Sequence, residues 1–118
     1  MLGLVAVVAT VLAGANSTWQ VVDDMPERVI SIDLSSLQRS GGHVSFQERH
    51  VIRGEQLNLN SLRPMREILL KRVIDCRDFR MATLSRAVFS DGDALIEYRA
   101  MRPGQAVWPL MAKADPLS

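Results

Sequence analysis

The stretch from residue 66 to residue 90 constrains the fold most strongly, because its pattern predicts two long antiparallel strands. In its second half, small and apolar side chains occupy every other position, and the positions between them include Arg80 and Arg86. Side chains alternate between two faces along a strand, so this period of two indicates β-structure with both arginines on one face. The first half, residues 66–74, has apolar residues on both faces, as a central strand does. A turn is predicted at residues 75–78.

The remaining sequence predicts shorter strands separated by turn-forming residues. Their predicted positions are 19–22, 29–33, 43–51 and 94–98, with a polar loop at 54–64. Asp33 is expected to cap a single helical turn over residues 33–37, because aspartate accepts hydrogen bonds from free backbone N–H groups. The prediction is a mainly β fold, either a small antiparallel sheet or a partly open barrel, with at most one or two short helical turns. An α+β arrangement stays open.

Length and composition limit the class of protein. A chain of 118 residues predicts one domain. A hydrophobic content of 47% is too high for a disordered chain. The net charge of +1 gives no general attraction to nucleic acid, and only 5% of the residues are aromatic, so few could stack on bases. We therefore expect no nucleic-acid partner.

The first fifteen residues predict a signal peptide. They carry no charged side chain, and the apolar run from Leu2 to Ala13 is shorter than the roughly 20 residues that span a bilayer. Small residues at 13–15 fit a signal-peptide cleavage site. We expect export to the periplasm or the outer cell surface, with residues 16–118 as a single domain. A buried first strand or helix is the alternative.

The residues that could carry chemistry do not form a recognisable catalytic or metal site. His43 and His50 are seven residues apart, so on one strand they point to opposite faces at a separation of roughly 23 Å. Asp33, Ser35 and Ser36 lack the pattern of a nucleophile elbow. The chain is therefore predicted to be non-enzymatic, with no catalytic, metal-binding or cofactor-binding residue.

Basic residues are concentrated on the predicted hairpin. Between Arg63 and Arg86 the sequence has seven basic and three acidic residues. One interpretation is a solvated sheet face with salt bridges. The other is a basic surface for an anionic partner such as a glycan, a lipid head group or an acidic protein. The candidate partner-binding residues are Arg66, Lys71, Arg72, Arg77, Arg80 and Arg86.

Several short motifs together resemble the surface-adhesin E family. They are Trp-Gln-Val-Val at 19–22, Ile-Asp-Leu-Ser-Ser-Leu at 32–37 ahead of two glycines, and Asp-Cys at 75–76 before an arginine-rich strand. The resemblance runs from about Trp19 to Trp108. It implies a small exported protein of Gram-negative bacteria with an antiparallel β fold and a helix. It also implies structural roles for Trp19, Asp33, Ser36, Asp75 and Cys76.

The resemblance implies a binding function. Some members bind host matrix or plasma proteins, and one branch inhibits lysozyme. We expect an adhesin-like domain that binds a macromolecular partner. A lysozyme inhibitor and a structural envelope component are the alternatives. The basic hairpin counts against the inhibitor because the lysozymes concerned are usually basic, although acidic residues from Asp23 to Asp33 could offer an acidic edge.

The resemblance also concerns Cys76, the single cysteine of the chain. Family members usually continue past the Trp-Pro stretch into a short helix with a second cysteine, which pairs with the one that Cys76 matches. The sequence ends in Asp-Pro-Leu-Ser, a pattern that can start a helix. We therefore expect that the partner of Cys76 lies beyond Ser118 in a longer gene product.

Overall fold

The computed structural model describes residues 18–111, which form one open antiparallel sheet of six strands. Each strand pairs with its neighbours in the chain, and β1 and β6 are the two ends of the strand order. The strands are β1 (Trp19–Asp24), β2 (Arg28–Ser40), β3 (His43–Ile52), β4 (Glu67–Asp75), β5 (Arg80–Phe89) and β6 (Leu95–Ala100). The only helical elements among these residues are two 3₁₀ turns, at Asp91–Asp93 and Pro103–Gln105. The mainly β prediction is confirmed.

The predicted central hairpin is confirmed. Strand β4 pairs with β5 from Glu67 opposite Phe89 to Asp75 opposite Arg80. The Asp75 carboxylate closes the turn by accepting hydrogen bonds from the backbone N–H of Arg77 at 2.9 Å and of Asp78 at 3.3 Å. These backbone bonds, with smaller contributions from nearby positive charges, hold the pKa of Asp75 below its ordinary value.

The expectation that Arg80 and Arg86 share one face is wrong. The β4–β5 register shifts between Lys71 and Arg72, because β5 carries one extra residue at that point. Arg80 pairs with Asp75, whereas Arg86 pairs with Leu70. Residues directly opposite in an antiparallel pair lie on the same face, so the bulge places the two arginines on opposite faces.

The helical turn predicted at residues 33–37 is also wrong. Strand β2 continues to Ser40, with a register shift against β3 between Asp33 and Gln38. Asp33 does accept a backbone N–H, from Ser35 at 2.9 Å, but it does so inside this bulge. The Ser36 hydroxyl donates to the Asp33 carbonyl at 2.7 Å and accepts from the backbone N–H of Gln47 at 2.8 Å. Asp33 and Ser36 therefore satisfy backbone groups that the bulge removes from the ladder.

The main hydrophobic cluster lies on one face of the sheet, which we call the core face, while the buried Val73 and Ala82 lie on the other. By strand register this face carries Phe46, Glu48, His50, Ile52, Ile68 and Val88. The buried centre is Ile52, Ile68 and Val88, against which Met65, Leu70 and Ile96 pack. The core is small, and two of the buried positions on this face, Glu48 and His50, are ionisable.

Several predictions fall on residues outside the described range. The signal peptide at residues 1–15 and the terminal helix-start pattern belong to this group. Among residues 18–111, no helix has the length and apolar character that crossing a bilayer requires.

Candidate functional site

A chain of polar side chains crosses the core face from β2 to β4. Arg28 Nη1 lies 2.9 Å from His50 Nδ1, and His50 Nε2 lies 2.5 Å from a Glu48 carboxylate oxygen. Arg72 Nη1 donates to the two Glu48 oxygens at 3.1 and 3.3 Å. A guanidinium can only donate, so His50 Nδ1 is the acceptor, and the Nε2–H donates to Glu48.

The environment of Glu48 favours its charged form. Burial raises the pKa of this carboxyl, but the hydrogen bond from His50 and the charge of Arg72 outweigh burial and keep the pKa below its ordinary value. Both the Glu48 and the His50 side chains are about nine-tenths buried. The arrangement therefore keeps a charged carboxylate largely buried on the core face, and we interpret the role of these side chains as structural.

His43 lies apart from this chain of side chains. It pairs with Asp75 while His50 pairs with Ile68, so the two histidines face opposite sides of the sheet, as the sequence predicted. Among the described residues, no group of three histidine, cysteine or acidic side chains could hold a metal ion.

Three of the six predicted basic residues form ion pairs. Arg66 pairs with Asp91 at 2.5 Å, Arg72 with Glu48 at 3.1 Å and Arg86 with Glu97 at 2.8 Å. Lys71, Arg77 and Arg80 have no carboxylate within ion-pair distance in the part of the chain that the structure describes. Arg72 and Arg86 lie on the core face, whereas Lys71 and Arg80 lie on the other. The six residues are therefore not brought together as one surface.

Two of the three predicted basic residues without ion pairs, Arg77 and Arg80, lie at the turn of the β4–β5 hairpin. Arg77, Phe79 and Arg80 are exposed there. The neighbouring β2–β3 turn is adjacent, because Cys76 N–H donates to the Gly42 carbonyl at 2.9 Å. A Cβ atom built on Gly42 would lie 3.4 Å from Arg77 Nη2, so this guanidinium rests beside the second turn.

The last described segment of the chain completes this end of the sheet. Met111 N–H donates to the Phe79 carbonyl at 2.9 Å, and Arg80 Nη1 donates to the Trp108 carbonyl at 2.9 Å. The Trp108 ring lies 5.7 Å from the His43 ring. We use the name tip surface for Arg77, Phe79, Arg80, Trp108 and Leu110.

Phe79 has an unusual backbone conformation within the tip surface. Its φ angle is 55°, in the left-handed region. This region costs a residue with a Cβ atom about 1–2 kcal/mol. Phe79 is nevertheless 59% exposed, so burial of its ring offsets little of this conformational cost. Strained positions of this kind cluster at functional sites.

The other predicted structural residues lie in defined contacts. The Arg49 guanidinium stacks 4.3 Å from the centre of the Trp19 ring. Asp33, Ser36 and Asp75 hold the bulge and the turn described above. Cys76 is an exposed free thiol, and its pairing with a cysteine beyond Ser118 stays a prediction.

An open antiparallel sheet of six strands defines a small all-β protein. Residues 19–114 match the family described as surface-adhesin protein E, and the chain belongs to this family. This confirms the resemblance seen in the sequence. Membership supports an adhesin-like role. It also suggests a surface or exported protein that is not an enzyme.

One solved structure to which the chain is similar is that of protein E from non-typeable Haemophilus influenzae. The TM-score is 0.54 at 12% sequence identity, and the match covers 80% of this chain and 66% of that one. At this identity the likeness shows a shared fold. No curated protein matches the sequence.

Proposed function

We propose that this chain is an adhesin-like domain that binds a protein partner through the tip surface. The observation that carries the proposal is an exposed, strained aromatic residue, Phe79, flanked by two arginines without ion pairs among the described residues. Aromatic and arginine side chains dominate the energetics of protein interfaces. Membership in the adhesin family supports the same conclusion.

The chemistry of the tip surface indicates the kind of partner. Beside the two arginines, Phe79 and Leu110 are 59% and 49% exposed. A surface of this mixed kind suits a protein segment that carries both acidic and apolar side chains. A host matrix or plasma protein is the leading candidate, and a cell-envelope component is the second.

Binding should weaken when the tip surface is altered without damage to the fold. Phe79→Gly removes the ring and also relieves the left-handed strain, so affinity should fall at least about tenfold while stability is kept or slightly raised. Arg77→Glu should reduce affinity and its dependence on salt. The measurement is biolayer interferometry of the full chain against matrix proteins, plasma proteins and lysozyme.

Arg63→Glu is the matched control, because Arg63 is exposed on the loop at the other end of β4 and has no ion pair among the described residues. Unchanged binding by both tip variants would overturn the proposal. Binding to lysozyme alone would favour the inhibitor. That alternative has limited support, since Asp24 on the predicted acidic edge is already paired with Arg53 at 2.9 Å.

We further propose that residues 1–15 direct export to the periplasm or outer surface and are then removed. The uncharged apolar run and the small residues at its end support this. Fractionation of a Gram-negative host followed by intact-mass measurement should find an exported form without these residues. An exported form that retains Met1 would contradict the prediction.

A further inference from the structure

A second site lies at the opposite end of the β4–β5 hairpin from the tip surface. The β3–β4 loop, residues 53–66, folds back toward β6 and encloses a hollow of about 600 Å³ that is open to solvent. Pockets for small molecules have volumes of roughly 300–1,000 Å³. The residues that matter for its chemistry are Leu57, Leu59, Met65, Arg86, Glu97 and Arg99.

The loop wall of this hollow is held in place by a network around Asn58, which is only 3% exposed. The Asn58 amide oxygen accepts from the backbone N–H groups of Asn60 at 3.1 Å and Ser61 at 2.8 Å. Its amide nitrogen donates to Glu97 at 2.7 Å across 39 positions of sequence. The hollow is therefore formed before any ligand arrives, which reduces the entropy lost on binding.

The wall of the hollow that is formed by β5 and β6 carries two arginines, Arg86 and Arg99, which both contact the Glu97 carboxylate. One Glu97 oxygen accepts from Arg86 Nη1 at 2.8 Å and from Arg99 Nε and Nη2 at 3.0 and 2.9 Å. The other oxygen accepts from Asn58 and, at 3.4 Å, from Asn60. Two positive charges thus surround one negative charge. Both guanidinium groups retain N–H groups with no acceptor among residues 18–111, and the Arg99 side chain is 69% exposed.

The loop wall of the hollow carries three apolar side chains beside Asn58 and Asn60. Leu57 is 54% exposed and Leu59 is 89% exposed, and Met65 packs against the core. Leucines held at the surface beside arginines suit a ligand that has an apolar part as well as a charge. An inorganic anion would use the arginines and leave these leucines in water.

We propose that this hollow binds a monoanionic carboxylate with an apolar group. The residual single positive charge matches a monoanion, and guanidinium groups bind carboxylates with paired, charge-assisted hydrogen bonds. Two sources offer this chemistry: the C-terminal carboxylate of a peptide that ends in an apolar residue, and a free medium-chain fatty acid. The site goes beyond the proposed function, because it shares no residue with the tip surface.

Isothermal titration calorimetry of the full chain tests the proposal. The probes are octanoate and N-acetyl-leucine, with octanamide and N-acetyl-leucinamide as uncharged counterparts. We expect at least one acid to bind and its amide to bind at least about tenfold more weakly. Arg99→Gln should weaken binding of that acid about tenfold, and Leu59→Ser should weaken it several-fold. Arg63→Gln, on the same loop but outside the hollow, should leave it unchanged.

The pattern of results distinguishes a fatty acid from a peptide C-terminus, and it distinguishes a lost binding site from a lost fold. Octanoate binding alone would assign a fatty acid, and N-acetyl-leucine binding alone would assign a peptide terminus. Urea unfolding of each variant checks that its fold is intact, and Leu59→Ser alters only an exposed side chain. The proposal is overturned if neither acid binds, if the amides bind equally well, or if folded Arg99→Gln and Leu59→Ser variants bind like the unaltered chain.

Discussion

Replacing Glu48 with alanine should lower the free energy of unfolding by about 3–5 kcal/mol. The change leaves the His50 ring and the Arg72 guanidinium largely buried without their shared acceptor. Removal of one partner from a buried charged pair costs more than the pair contributes, because the remaining charge stays out of water. Native domains are stable by only about 5–15 kcal/mol, so the variant should be close to unfolding. Urea unfolding followed by circular dichroism gives the measurement.

Two further substitutions identify the cause of that loss. Glu48→Gln keeps the shape and one acceptor oxygen, so it should cost less than Glu48→Ala. Gln47→Ala changes the exposed neighbour on the opposite face and should stay within about 0.5 kcal/mol of the unaltered chain. A loss below about 1 kcal/mol for Glu48→Ala would show that the buried pair contributes little to the sheet.

The hairpin could be predicted from the sequence because alternation along a strand is a local property. Residues 66–90 carry the period of two on their own, and the turn at Asp75 follows from its hydrogen bonds to nearby backbone groups. The bulges could not be predicted in the same way. A bulge depends on how one strand matches its partner, and the extra residue in β5 is visible only when β4 is placed beside it.

The helical turn predicted at Asp33 was wrong for a related reason. An aspartate followed by two serines satisfies free backbone N–H groups, and such groups occur both at the start of a helix and in a strand bulge. Ser36 decides between the two structures here, because its hydroxyl accepts from Gln47 on the neighbouring strand. That contact spans 11 positions of sequence and cannot be read from the local pattern.

The charged clusters show the same limit. The sequence reveals an excess of basic residues near the hairpin, but it does not pair Arg72 with Glu48 or Arg86 with Glu97. The contact between Glu48 and His50 could have been predicted, because the two residues are two positions apart on a predicted strand and therefore share a face. The tip surface had no comparable signal, since the left-handed conformation of Phe79 and its approach to the 107–111 segment are tertiary features.

Acid should remove a defined part of the stability through Glu97. Its pKa is lowered from 4.5 to about 2, first by the hydrogen bond from Asn58, then by the hydrogen bonds from Arg99, with Arg86 adding to the effect. A carboxyl whose folded-state pKa is depressed contributes its full stability above its unfolded-state pKa and loses it as the pH falls toward the folded-state pKa. The loss should therefore run from about pH 4.5 to about pH 2.

The expected size of this contribution is about 2–3 kcal/mol at neutral pH. A pKa difference of one between the folded and unfolded states is equivalent to about 1.4 kcal/mol, and we take less than the full conversion because Arg99 is largely exposed and its contribution is screened by solvent. Glu97→Gln should lower the free energy of unfolding by this amount at pH 7. Since the glutamine resembles the protonated acid, the two stability curves should converge as the pH falls.

A series of urea unfolding curves between about pH 7 and about pH 2.5 separates Glu97 from the other acidic groups. Asp33, Glu48 and Asp75 also have lowered pKa values, so the whole chain loses stability in acid, but they are common to both proteins. Only the difference between the curves of the unaltered chain and the Glu97→Gln variant reports on this carboxyl. Glu55 is exposed on the β3–β4 loop that Glu97 contacts, and Glu55→Gln should follow the unaltered chain within about 0.5 kcal/mol throughout. A difference that stays constant with pH would mean that Glu97 anchors the loop by shape and neutral hydrogen bonds rather than by its charge.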